Sequence, residues 1–505
     1  MEDQEAQTRR RQNAPLAMAP EEFRQAGHEL VNQIADFLAG LEQKPVTTGE
    51  QPPAVRAALG NNSLPAEGSA ASGILAEAAQ LLFHHSLFNG HPRFWGYITS
   101  SATPIGALGD LLAAAVNPNV AAFALSPVAT EIEQQTIRWI AEFINYPVSC
   151  GGLFVSGGNM ANFVGFLAAR KAKAAWDIRK DGLQSRNSRL LVYCSRNTHT
   201  WIQKAADLFG LGTDAIRWIE PNEEQQLDLS LLEQQIADDR AAGFTPFLVV
   251  GSAGTVGTGT VDSLSGIAGI CRKNNLWFHV DGAYGAPAAG LPECAALFEG
   301  LAEVDSVALD PHKWFYSPLE AGCALVRDPK LLQEAFSFHP DYYNFDGTGD
   351  EPPVNYYDYG MQNSRGFRAL KVWLGFKQAG RNGYIQMIRD DISLSQKLFS
   401  LIQATPELEA VSQNLSITTF RYVPQGMANH PDENYLNKLN EALLNHLQVA
   451  GEVFVSNAVI SGKYCLRACI VNFRTQWQDL EALVAIAIRE GRRLDAQLRQ
   501  DSTNS

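Results

Sequence analysis

The chain has 505 residues, 46% of them hydrophobic, which is enough to build a large core divided over two or three domains. Its formal net charge of -14 opposes attraction to phosphate backbones or anionic lipid, so it disfavours nucleic-acid and membrane-surface roles and favours a small-molecule enzyme. Seven cysteines (Cys150, Cys194, Cys271, Cys294, Cys323, Cys465, Cys469) are scattered without a CxxC pair, so they read as reduced cytosolic thiols with no metal site.

The start, MEDQEAQTRRRQ, is polar and of mixed charge, with no apolar stretch of adequate length after it; no secretory leader is expected, and the protein is placed in the cytoplasm. From Pro20 to about Leu41, the apolar residues Phe23, Ala26, Leu30, Ile34, Phe37 and Leu38 recur at helical spacing and predict an amphipathic helix. TTGEQPPAVRAALGNNSLPAEGSAAS then reads as a connecting loop, so residues 1–105 look like an appended arm. The apolar stretch IGALGDLLAAAVNPNVAAFAL is broken by Asp110, Asn117, Pro118 and Asn119, short of the ~20 uninterrupted residues of a membrane helix. It predicts buried helix and loop.

Beyond Gly152, short apolar runs alternate with helical stretches: LFVSGG, RLLVYCS, PFLVVGSAG, LWFHVDGAYG, SVALD and CALVRD. Strands alternating with helices predict βαβ units and a mostly parallel sheet, with ligands at the carboxyl ends of its strands. After about Arg381, LSITTFRYVP, GEVFVSN and YCLRACIVNF alternate with two long helical segments and predict a smaller α+β domain, with Cys465 and Cys469 as buried strand residues.

Candidate chemistry sits where strands should end. VSGGNMANF puts Ser156, Gly157, Gly158 and Asn159 at a strand-to-helix passage, where backbone N–H groups can hold a phosphate; on its own it also fits an ordinary loop. His199 opens the next helix, suited to stacking on a planar ring or simply to capping. Thr255, in GSAGTVGTGTVD, offers either a surface for a flat cofactor or a flexible βα loop. Asp281 closes an apolar strand before Gly282 and Ala283, as a turn former or as the carboxylate that keeps a pyridine nitrogen protonated. In SVALDPHKWFYSP, Lys313 follows a strand end and a Pro turn; it reads equally as a surface lysine and as the amine that forms a Schiff base with an aldehyde cofactor.

Together these segments resemble the pyridoxal-phosphate (PLP) dependent group II amino-acid decarboxylases, the family of aromatic L-amino-acid, histidine and glutamate decarboxylases. The resemblance runs through HPRFWGY, SPVATEIE, SGGNMANFVGFLAAR, NTHTWIQKA, SAGTVGTG, HVDGAYG, DPHKW, SRGFRALKVW and CLRACIVNF, most of the chain. It implies an α/β fold of the fold type I, aspartate-aminotransferase-like class, with a mostly parallel seven-stranded sheet. The expected division is an N-terminal helical arm (1–105) packing on a homodimer partner, a large PLP-binding domain (106–385) and a small C-terminal domain (386–505), with the active site at the subunit interface.

By position, the resemblance makes Lys313 the Schiff-base lysine, Asp281 the pyridinium partner and His199 the stacked base. Gly157, Gly158, Asn159 and Ser306 would cradle the phosphate, and Thr255, Ala283 and His312 would line the ring. Tyr342 matches the family's mobile-loop tyrosine, a proton donor to Cα, and with His199 it points to amine rather than aldehyde product. Tyr97, Thr99, Ser364 and Arg467 would line the substrate; Tyr97 and Ser364 point to the aromatic branch, tyrosine or dihydroxyphenylalanine first, then tryptophan or 5-hydroxytryptophan. The chain departs from the family with Asn89 for Trp, Ile98 and Thr99 for Phe-Pro, Gly282 for Ala and Asp310 for Asn. Rival readings are an acidic or diamino substrate, another fold type I activity such as sulfur removal or transamination, an aldehyde-forming oxidative decarboxylase, and a non-catalytic dimer that keeps the fold.

Overall fold

Runs of aliphatic residues too short for helices and too apolar to face water form the central sheet of this computed structural model, which describes residues 14–183, 188–338, 353–427 and 431–503. Its strands are β1 (Gly151–Val155), β2 (Leu190–Ser195), β3 (Ile216–Ile219), β4 (Thr245–Ser252), β5 (Trp277–Asp281), β6 (Ser306–Leu309) and β7 (Gly322–Val326). The order is β1-β7-β6-β5-β4-β2-β3. Only β7 runs antiparallel to its neighbours, so the other six strands open their carboxyl ends on one edge. This is the mostly parallel seven-stranded α/β sheet that the sequence predicts. β3 is the strand the sequence pattern did not announce: it has four residues, and Arg217 interrupts its apolar run.

The α-helices of eight or more residues, in chain order, are α1 (Pro20–Ala39), α2 (Pro52–Leu59), α3 (Ala71–His84), α4 (Pro104–Val116), α5 (Pro127–Phe143), α6 (Gly158–Lys173), α7 (Trp201–Leu208), α8 (Leu229–Ala241), α9 (Leu264–Asn274), α10 (Pro329–Phe336), α11 (Ala369–Gln403), α12 (Glu433–Ala450) and α13 (Trp477–Thr503). Two expectations are corrected here. The predicted loop after α1 contains α2, because Pro52 and Pro53 sit at the first helical positions, where proline is preorganised, and good helix formers follow. The apolar helix α4 was expected to be buried. It instead turns Leu108, Leu111, Leu112 and Val116 outward, burying only Gly106 and Gly109 in the single chain.

A second sheet, β10-β11-β9-β8, is built from β8 (Leu408–Asn414), β9 (Ile417–Tyr422), β10 (Ser456–Ile460) and β11 (Lys463–Cys469), and has its own apolar core. Cys465 and Cys469 are buried strand residues of β11, as expected. β8 escaped the sequence reading because it is an edge strand, half-exposed along most of its length. Helix α11 connects the two cores and bends at Gly380, whose φ of 64° suits glycine; the expected boundary at 385/386 falls inside this helix.

One buried ion pair ties the sheet to the loops around it. Glu133 of α5 pairs with Arg365, both essentially without solvent contact. Glu133 also accepts from the Phe154 amide at 2.8 Å, and Arg365 donates to the Val120 and Phe154 carbonyls at 2.7 Å. Removing one member strands a buried charge. Arg365→Met is therefore expected to destabilise by about 3–5 kcal/mol in denaturant unfolding, with much of the loss recovered in Glu133→Gln/Arg365→Met.

Candidate active site

At the carboxyl edge, the loops after β1, β2, β4, β5 and β6 close around a cavity of about 410 Å³. Each supplies a different kind of group. β1 passes through Ser156 and Gly157 into α6, whose first-turn amides have no carbonyl partner within the helix and so offer an anion site. The glycines are needed for space. A Cβ on Gly158 would stand 2.7 Å from Asp310 Oδ2 and 3.4 Å from the Ala283 Cβ, and a Cβ on Gly322 would meet the Gly157 Cα at 2.5 Å.

Asp281 ends β5 with its carboxylate fixed in orientation: Oδ2 accepts from Trp201 Nε1 at 2.8 Å and Oδ1 from the Ala283 amide at 3.2 Å. His199 precedes α7, and the Trp201 amide donates to its Nδ1 at 3.3 Å, which leaves the proton of the neutral ring on Nε2. Burial lowers the His199 pKa from its ordinary value, against the opposing pull of the Asp281 carboxylate, so the ring is neutral at pH 7. Lys313 reaches the cavity from the turn after β6, its Nζ 3.0 Å from Asp310 Oδ2. The His312 Nδ1 accepts from the Ala321 amide at 3.1 Å, and burial lowers its pKa too. Thr255 lies in a pinned loop rather than a flexible one: its hydroxyl meets Thr258 at 2.9 Å, and Thr258 meets Thr260 at 2.8 Å.

An amine, a carboxylate, a neutral imidazole and a glycine-lined helix start around one cavity match the needs of an aldehyde cofactor that carries a phosphate and a basic ring nitrogen. The pyridoxal-dependent decarboxylase conserved domain matches residues 53–423. The chain belongs to this decarboxylase family. An aromatic-L-amino-acid decarboxylase of Bacillus atrophaeus is 33% identical over 92% of this chain and 94% of its own length. Among solved structures, Oryza sativa TDC with PLP and tryptamine superposes with a TM-score of 0.87 at 25% identity, covering 96% of this chain and 99% of that one. Rhodiola rosea 4-hydroxyphenylacetaldehyde synthase gives 0.84 at 26%, covering 94% and 99%. The protein is thus a PLP-dependent carboxy-lyase of fold type I.

The cofactor fits the residues present: Gly157, Gly158 and Asn159 would hold its phosphate, Asp281 its ring nitrogen and Lys313 its aldehyde carbon. The cavity of this decarboxylase brings together Gly157, Gly158, Asn159, His199, Thr255, Asp281, Ala283, His312 and Lys313. Ser306 is a correction. It begins β6, at the amino end, roughly 10 Å from Leu309 by strand rise. Its hydroxyl meets Trp277 Nε1 at 2.8 Å and His279 Nδ1 at 2.7 Å, away from the cavity. It touches the cradle only through a relay, His279 Nε2 to Asn162 Oδ1 at 2.7 Å and Asn162 Nδ2 to the Gly158 carbonyl at 2.9 Å.

Tyr97, Thr99, Ser364 and Arg467 do not line this cavity in the single chain. Tyr97 is 54% exposed and Ser364 is also exposed, while Thr99 is half-buried. Arg467 is buried and ties two loops together, donating to the Tyr97 carbonyl at 2.9 Å and to the Val256 carbonyl. Tyr342 lies outside the described residues.

Sequence reasoning missed Trp201 and Asp262. Trp201, two residues after His199, was visible in NTHTWIQKA but carried no periodic signal of its own. Asp262 accepts from the Ser252 and Leu227 amides at 2.7 Å each and is pushed up to about 6 by burial; it shapes the loop that carries Thr255. Because Trp201 is a hydrogen-bond donor to Asp281, Trp201→Phe is expected to lower kcat roughly tenfold, a cost of about 1.4 kcal/mol in steady-state kinetics, together with a loss of fold stability from the cavity left in the core.

The segment just after Lys313 is held from the small-domain side. Asp391 of α11 accepts from Trp314 Nε1 at 2.9 Å and from the Tyr316 hydroxyl at 2.7 Å, and burial raises its pKa to about 7. An unfolded aspartate titrates near ~3.9, so between about pH 4 and 7 the folded state binds more protons, and the stability Asp391 contributes declines as pH rises through that window. Asp391→Asn should remove this decline, so that the difference in unfolding free energy between wild type and variant drifts against wild type from pH 4 to pH 7.

Proposed function

We propose that this decarboxylase acts on an aromatic L-amino acid, with tyrosine or dihydroxyphenylalanine first and tryptophan or 5-hydroxytryptophan next, releasing CO2 and the amine as a cytoplasmic homodimer. One observation carries the reading: Lys313, Asp281 and His199 converge on a single cavity with a glycine-lined helix start. The similarity to the Bacillus atrophaeus enzyme supports an aromatic substrate.

Bound PLP supplies an electron sink for the pair released when the Cα carboxylate leaves. Lys313 is the covalent anchor and yields its place to the substrate amine. Asp281, held by Trp201 and the Ala283 amide, keeps a proton on the ring nitrogen opposite it, so that the ring can accept charge. His199, kept neutral by burial, would offer its imidazole to the cofactor ring. Tyr342 is the proposed proton donor to Cα, favouring amine over aldehyde.

A second copy would complete the site. Apolar residues of the arm and of α4, among them Phe23, Leu82, Leu111 and Val116, are exposed in the single chain, and so are Tyr97 and Ser364. Exposed apolar residues of this kind call for a partner. Among the described residues, no helix is long and apolar enough to cross a membrane.

Product analysis by mass spectrometry with the twenty common amino acids, dihydroxyphenylalanine and 5-hydroxytryptophan tests the substrate. Amine and CO2 from an aromatic substrate support the reading. Turnover confined to acidic or diamino substrates overturns the substrate class, and stoichiometric ammonia, peroxide and aldehyde overturn the product. Sedimentation at micromolar concentration should give a dimer; a monomer with full activity contradicts the shared site.

A further inference from the structure

Asp310 places a carboxylate beside the site expected to take a phosphate. Its side chain is 2% exposed, and Oδ2 lies 3.0 Å from Lys313 Nζ and 3.7 Å from His312 Nε2. The same oxygen stands 2.7 Å from where a Cβ on Gly158 would be, against the start of α6. Oδ1 is sealed from solvent and has no hydrogen-bond partner among the described residues. Few groups are placed to balance a second anion. The start of α6 offers backbone amides and the uncharged Gly157, Gly158 and Asn159. His199 and His312 are both kept neutral chiefly by burial, and Cys323 of β7 is held as the thiol by burial. A charged His312 would also set its Nδ1 proton against the Ala321 N–H that now donates to it. Asp281 adds negative charge across the cavity, and Lys371 is held by Asp110 at 2.9 Å. Among the described residues of one chain, that leaves Lys313, whose nitrogen is committed to the cofactor once it is loaded.

We propose that Asp310 and the cofactor phosphate share a proton: phosphate docking on the α6 start draws one proton from solvent into the pair, so that a hydrogen bond joins the Asp310 carboxyl and a phosphate oxygen where two anions would otherwise meet. The inference rests on the PLP site proposed above. Two bare anions packed side by side in a desolvated cradle repel, and a proton shared between them turns repulsion into a short hydrogen bond. Asparagine at this position would need no such proton. This makes Asp310 a phosphate-positioning residue that links cofactor retention to pH in this chain.

Calorimetric titration of PLP into the cofactor-stripped full-length enzyme, in two buffers of different ionisation enthalpy at pH 8, counts the protons. The wild type should take up about one more proton per site than Asp310→Asn. From pH 7 to pH 9, its PLP dissociation constant should rise relative to that of the variant by roughly tenfold per pH unit. Pyridoxal, which has no phosphate, should show no difference in proton count between the two proteins. Equal counts with PLP overturn the proposal, and so does an equal difference with pyridoxal, which would place the effect at Lys313. If Asp310→Asn does not fold by circular dichroism, Asp310→Ser carries the same comparison. Failure of the wild type to bind PLP at all overturns the cofactor site itself, and this inference with it.

Discussion

Lys313→Ala, purified and mixed with PLP, should show no absorbance band near ~420 nm that borohydride removes, and its turnover should fall roughly a thousandfold or more. Lys313 is the only lysine among the described residues lining the cavity, so no neighbouring amine can replace it. Its loss also leaves Asp310 without its nearest cation, so some local rearrangement accompanies the chemical defect. Lys313→Arg separates the two effects: it restores a cation near Asp310 but cannot form the imine, so it should recover stability and not the band. Full-speed turnover by Lys313→Ala would end the assignment of this site.

Asp281→Ala should lower kcat by roughly a thousandfold, about 4 kcal/mol of lost transition-state stabilisation, and weaken PLP retention. Charge flows toward the ring nitrogen only while a proton is held there. The carboxylate that holds it is fixed by Trp201 Nε1 and the Ala283 amide rather than by solvent. Asp281→Asn keeps the size and one acceptor oxygen but loses the charge, so it should be nearly as defective as Asp281→Ala. A loss of less than tenfold in the Asn variant would mean that charge at this position is dispensable. His199 responds differently. Burial lowers its pKa, so protonation reaches it only below its ordinary range, and a His199→Gln variant should lack the wild type's acidic inflection in kcat/KM.

The positions legible in the sequence share one property: each sits at the carboxyl end of a strand or in the loop that follows it. Apolar runs too short for helices marked β1, β2, β4, β5, β6 and β7, and the parallel layout sends their carboxyl ends to one edge. Once the strands were placed, Gly157, His199, Thr255, Asp281 and Lys313 had to converge. Local patterning also settled α1 and the buried cysteines of β11. The runs that escaped were those whose surroundings give the pattern its meaning. β3 is short and half-exposed, β8 is an edge strand, and α2 hides behind two prolines.

What the sequence by itself determined about this protein is the alternation of strand and helix, the family motifs and the identity of the groups at the strand ends, because these are local facts of spacing and residue type. What only the tertiary structure decided is who touches whom across the fold. Trp201 fixes Asp281 across 80 residues of chain. Ser306 lies at the wrong end of its own strand to reach a phosphate, and Asp391 reaches the Lys313 turn from α11, the helix that connects the two cores. Hydrogen bonds and burial depend on distance in space, and distance in sequence carries no record of it until the sheet is assembled. The charge beside the cradle at Asp310 belongs to both: the letter is in the sequence, and its consequence appears only with Lys313 and Gly158 packed against it.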